Sequence, residues 1–134
     1  MVSLLLAVQA FSQDKIKTVE TPFISQLVNG EKYTIEMESW GCFGGDLAYM
    51  ITVFKKQDNY YVTFNGTTKE LSSKEIDYFT TFEKQLNQND HSGACTSADN
   101  YTLTYNDSII VVSDGSCAWR GYYGLKKKMG WVEV

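Results

Sequence analysis

Few side chains in this 134-residue chain could do covalent or acid–base chemistry: three cysteines, a single histidine and scattered carboxylates. Cys42 lies in a glycine-flanked run, Trp40-Gly41-Cys42-Phe43-Gly44-Gly45-Asp46. Cys42 and His91 could act as thiol nucleophile and base, with Asp90 or Asp46 orienting the ring. A thiol attacks as thiolate and needs a proton acceptor within hydrogen-bond reach. Nothing in the spacing fixes the distance from 42 to 91, and no cysteine-hydrolase signature surrounds either residue. A thiol buried beside Trp40 and Phe43 is the simpler account, so Cys42 and His91 are candidates only and no catalytic residue is assigned.

The other chemistry-bearing patterns are weaker. Glycines at 41–45 could crowd backbone N–H groups around an anion. A phosphate loop, however, opens a helix and carries Lys-Ser or Lys-Thr, whereas here Asp46 and an extended run follow. The reading is a wide turn with glycines at positive φ. The three cysteines include no pair at zinc-ligand spacing and there is only one histidine, so no metal and no cofactor are expected. Glu36 and Glu38 share one face of an alternating run, where they could seat calcium or be catalytic; a solvated sheet face accounts for them as well. Asp107 and Asp114 read as turn residues.

The residues best suited to recognition are aromatic. Trp119, Arg120, Tyr122, Tyr123 and Trp40, with Phe43 and Trp131 nearby, lie in glycine-rich stretches without periodicity. Trp, Tyr and Arg dominate binding hot spots because they offer large contact area at little rotamer entropy. The competing reading is a second small core, with Arg120 stacked over an indole.

Composition bounds the function. At 43% apolar and 21% charged the chain can fold, and its length fits one domain over 13–134. Nine Tyr, seven Phe and three Trp against one Pro favour a sheet. A net charge of −4, with Lys126-Lys127-Lys128 the only basic run, disfavours nucleic acid. Leu4 to Val8 form a short apolar core, and Ala10-Phe11-Ser12 suits cleavage before Gln13, so residues 1–12 read as a signal peptide that lacks a basic start. The run is far short of the ~20 residues of a spanning helix. Export, to periplasm or medium, favours disulfides.

The elements that must position these residues follow from periodicity. Tyr33, Ile35 and Met37 alternate with polar residues, as expected of a strand with one buried face. Leu47 to Phe54 reads as a strand buried on both faces, and Tyr60 to Asn65 as its return. Ser72-Ser73-Lys74-Glu75 is a capping box opening a helix over about 73–88, with Ile76, Phe79, Phe82 and Leu86 as its stripe. Tyr101, Leu103 and Tyr105, then Ile109 to Val112, form a hairpin. If its turn is centred on Asn106, residues whose numbers add to 212 face each other. Cys95 and Cys117 would then lie side by side, which predicts their disulfide and leaves Cys42 free. Pairing of Cys42 with Cys117 is the rival. A last strand is expected near 117–123. The fold class is α+β: an antiparallel sheet of five to six strands packed on one helix, in two layers. A small all-β barrel is the alternative.

The Gly41-Cys42-Phe43-Gly44 loop after a strand, the single helix, and the cysteine-bracketed threonine-rich hairpin resemble small exported bacterial domains of unknown function, over residues 33–120. The resemblance implies an exported α+β domain and no activity. The expected function is therefore a non-catalytic binding domain for a protein or glycan of the cell envelope. The alternatives are a thiol-dependent hydrolase or redox protein, and a structural envelope component.

Overall fold

The computed structural model describes residues 21–40, 47–93, 95 and 98–131. The expectations for the signal peptide, the 41–45 glycine loop and Cys42 fall outside those residues. Six antiparallel strands form one open sheet in the order β4-β3-β2-β1-β5-β6. They are β1 (Lys32–Trp40), β2 (Leu47–Lys56), β3 (Asn59–Phe64), β4 (Thr67–Glu70), β5 (Ala98–Tyr105) and β6 (Ser108–Asp114). The helices are α1 (Phe23–Gln26), α2 (Ser73–Gln88) and α3 (Gly121–Met129). The sheet does not close, so the fold is not a barrel.

Alternation places Tyr33, Ile35 and Met37 of β1 beside Ile51 and Val53 of β2 and Tyr101 and Leu103 of β5, all buried. Phe23 and Ile24 of α1, Phe79, Phe82 and Leu86 of α2, and Tyr122, Leu125 and Met129 of α3 join the same core. The helical layer is thus shared by three helices, not carried by α2 alone. The other face is open: Met50 is 54% exposed, and Ala48 lies on the same side. The expectation that β2 is buried on both faces is therefore corrected, because among the described residues no second layer covers that side.

Local chemistry sets the boundaries. The capping box forms as the spacing predicts: Glu75 N–H donates to Ser72 Oγ at 3.2 Å, and Ser72 N–H to the Glu75 carboxylate at 3.0 Å. Ser72→Ala is expected to cost about 1 kcal/mol in urea denaturation. The turn Asn65-Gly66, with φ of 51° and 77°, has the left-handed backbone a two-residue hairpin demands. It delivers β4, a strand too short to show a pattern of its own.

The expected strand near 117–123 is a helix from Gly121 onward. Tyr122, Leu125 and Met129 are spaced three and four apart and buried, while Lys126, Lys127 and Lys128 complement its C-terminal dipole. Gly130, at φ 73°, donates to Lys127 O (3.1 Å) and Trp131 to Lys126 O (3.0 Å), closing a Schellman motif.

The late hairpin pairs Asp99 with Asp114 and Tyr105 with Ser108, a register one residue away from the expected one. Its turn is two residues long, Asn106-Asp107, so it is centred between them and not on Asn106. Cys95–Cys117 nonetheless forms, with Cα atoms 5.8 Å apart, which removes Cys117 from any pairing with Cys42. Both cysteines lie beyond the ladder's last pair, and Cys117 takes φ 60°, so the loop absorbs the offset.

Candidate functional site

The disulfide anchors a loop at the end of the β5–β6 hairpin that leads into α3. Backbone bonds hold it from one side: Cys95 N–H donates to Gly115 O (3.2 Å) and Gly115 N–H to His91 O (3.0 Å). Gly93 approaches so closely that a Cβ there would sit 2.6 Å from Gly115 O, so only glycine fits. Inside the loop Ser116 is the knot. Its hydroxyl donates to Asp114 Oδ1 at 2.6 Å and accepts from Ala118 N–H at 3.1 Å.

Two non-glycine residues of this loop, Cys117 and Arg120, have left-handed backbones, at φ 60° and 52°. Such conformations cost of order 1–3 kcal/mol each and persist only where the surroundings impose them. Trp119, between them, supplies much of that constraint. Its ring stacks on Phe82 at 5.5 Å and lies 4.7 Å from the His91 ring, and its Nε1–H donates to Gln85 Oε1 at 2.8 Å. The indole also passes over Gly121, where a Cβ would meet it at 2.3 Å. Tyr101 completes the frame by accepting the Tyr122 N–H at 2.9 Å, which caps the start of α3. Burial, slightly offset by that bond, raises the Tyr101 pKa.

Above this frame lies a cleft of about 130 Å³ lined by Ser39, Asp99, Asp114, Cys117, Arg120 and Tyr123. Asp99 and Asp114 are direct cross-strand partners, an arrangement that like charges ordinarily destabilise. Each is held by its own hydroxyl: Ser39 Oγ donates to Asp99 at 2.8 Å, as Ser116 does to Asp114. Arg120 lies over the Tyr123 ring at 4.9 Å, with Lys126 5.5 Å from the same ring. Arg120 therefore stacks on a phenol, not on an indole. An adjoining groove of about 190 Å³ between α2 and α3 is lined by Tyr78, Phe82, Gln85, Trp119, Arg120 and Lys128.

Of the recognition candidates, Arg120 and Tyr123 meet at the cleft, and Trp119 borders the groove while half-buried in the core. Tyr122 is 1% exposed. Trp40 ends β1 on the opposite, open face and is 46% exposed. Glu36 and Glu38 are exposed on that open face too. Ser39, Asp99 and Asp114 had no signal beyond strand alternation and turn propensity.

His91 is buried, with Nε2 3.0 Å from Leu86 O and Nδ1 3.7 Å from Asp114 Oδ1. The carboxylate facing the imidazole is thus that of Asp114. Asp90 instead accepts from the Ser92 hydroxyl (2.7 Å) and N–H (3.0 Å), and these bonds lower its pKa. Among the described residues no cluster of three or more His, Cys, Asp or Glu could hold a metal, and no helix is long and apolar enough to cross a membrane. No family model, no curated protein and no solved structure matches the chain.

Proposed function

We propose that the chain is an exported, non-catalytic binding domain that recognises a glycan of the cell envelope at the Asp99–Asp114–Arg120–Tyr123 corner. The observation that carries this reading is a pair of facing carboxylates, Asp114 buried and Asp99 half-buried, lining one cleft with a guanidinium and a phenol ring. Ionised carboxylates accept hydrogen bonds and a guanidinium donates several in a fixed fork. A neutral, hydroxyl-rich ligand satisfies both kinds of group at once, and the Tyr123 ring offers an apolar face to a sugar ring. An anionic ligand would meet two carboxylates in the cleft itself. The left-handed Arg120, held in place by the bridge and by Trp119, is the preorganisation that recognition of a flexible ligand rewards.

Titration of neutral envelope-derived oligosaccharides, followed by calorimetry, tests the proposal. Arg120→Ala is expected to weaken binding about tenfold or more, equivalent to about 1.4 kcal/mol, with the fold unchanged by circular dichroism. Equal affinity in the variant, or no binding by the wild type across the panel, would refute it. Capture of an envelope protein by the wild type and not by Arg120→Ala would instead favour a protein ligand for the same corner.

A further inference from the structure

The two edges of the sheet are unlike each other. β4 is four residues long, wholly exposed, and carries Lys69 and Glu70, the devices that ordinarily discourage a further strand. β6 is seven residues long, and its 108–113 stretch, Ser-Ile-Ile-Val-Val-Ser, bears no charge and no proline. Four successive β-branched residues are the pattern of an interior strand covered on both faces. Here they stand at an edge. Ile109 and Val111 on the open face are 63% and 69% exposed, and Ile110 and Val112 on the helical face are only partly buried.

The backbone of this edge is equally ready. The hairpin closes with Tyr105 opposite Ser108 across a two-residue turn. In such a ladder alternate residues direct N–H and C=O to the partner strand. Those of Ser108, Ile110 and Val112 are directed to β5, which leaves those of Ile109, Val111 and Ser113 directed outward. Among the described residues no strand pairs with them.

We infer that β6 is a self-association site, where two copies of the chain pair β6 antiparallel to β6 about a two-fold axis through Val111. The occupant is a second copy because the segment complements itself. In this register Val111 lies opposite its own counterpart and Ile109 opposite Ser113, and each of these pairs joins outward-directed backbone groups. Ile110 falls beside Val112, so the half-buried apolar pair on the helical face is also extended. Asp114 falls opposite Ser108 and Asp107 opposite Gly115, so no carboxylate faces another although each copy carries a net charge of −4. An isologous contact of this kind closes at two copies and continues the sheet.

Sedimentation equilibrium of the intact, disulfide-bonded protein, with amide hydrogen exchange at Ile109, Val111 and Ser113, tests the inference. The expected result is a doubling of mass as concentration rises, with protection of those three amides increasing at least tenfold. Val111→Lys, at an exposed position that the fold does not need, should stay monomeric and unprotected, whereas Val111→Thr should retain the dimer. A wild type that is monomeric up to about 1 mM, a limit of about 4 kcal/mol, would overturn the inference. So would a Val111→Lys protein that dimerises as tightly, which would place the contact elsewhere. Protection that appears only when an unrelated extended peptide is added to a monomeric protein would assign the edge to a foreign strand and equally overturn it.

Discussion

Replacing Glu83 by alanine is expected to destabilise the protein by about 3 kcal/mol or more, a large part of the 5–15 kcal/mol that holds an ordinary domain together. Glu83 is 1% exposed on the inner face of α2. Its carboxylate accepts from Phe23 N–H at 2.6 Å, Ile24 N–H at 3.3 Å and the Tyr33 hydroxyl at 2.7 Å. Pro22 offers α1 no side-chain cap, so Glu83 caps that helical turn from across the core. Alanine would strand three buried donors, each costing about 1–3 kcal/mol. A loss below about 1 kcal/mol in urea denaturation would contradict this account.

The same group sets a pH dependence. Burial outweighs the three donors and pushes the Glu83 pKa up from 4.5 to about 7. The folded state then binds the Glu83 proton more tightly than the unfolded chain does. Its contribution is complete below the unfolded pKa and is lost as pH rises through the folded one, so stability should fall between about pH 4.5 and 7, by at most about 3 kcal/mol. Glu83→Gln keeps an acceptor, cannot ionise, and is expected to flatten that slope. A wild type that gains stability across this window would reverse the assignment.

Removing the Cys95–Cys117 bridge, in a Cys95→Ala/Cys117→Ala protein, is the second large expected effect. The cysteines are 22 residues apart, and closing a loop of that size lowers the entropy of the unfolded chain by roughly 3–3.5 kcal/mol. For a chain of this length that corresponds to a Tm lower by roughly 10–15 °C. The bridge also pins the loop whose left-handed Arg120 lines the cleft, so under the proposed function glycan affinity should fall below that expected from partial unfolding alone. Unchanged Tm and affinity in the double variant would remove the bridge from both roles.

The sequence made some of these features legible and hid others for identifiable reasons. Alternation of small sets of apolar residues predicted β1 and β5, because a strand has a period of two and one face here is buried, and turn signals placed β3 and β6 as returning strands. The Ser72–Glu75 capping box placed α2, since both its bonds are local. α3 was hidden because Gly121 and Gly124 lower helix propensity, and because aromatic residues at 119–123 mimic a strand. Glu83 was invisible to periodicity: it occupies an apolar stripe as a polar residue, and only the fold supplies its partners, 50 and 60 residues away. The cleft was half legible. Arg120 and Tyr123 are hot-spot types in a glycine-rich stretch, whereas Asp99 and Asp114 become a pair only through strand register, which misplacing the turn by half a residue had shifted.

The most direct test of the proposed recognition corner is NMR chemical-shift mapping of the disulfide-bonded protein during titration with a neutral envelope oligosaccharide. Saturable shifts are predicted at Ser39, Asp99, Arg120 and Tyr123, with the open sheet face around Met50 unmoved. Saturable shifts centred on that open face, with the corner silent, would contradict the account.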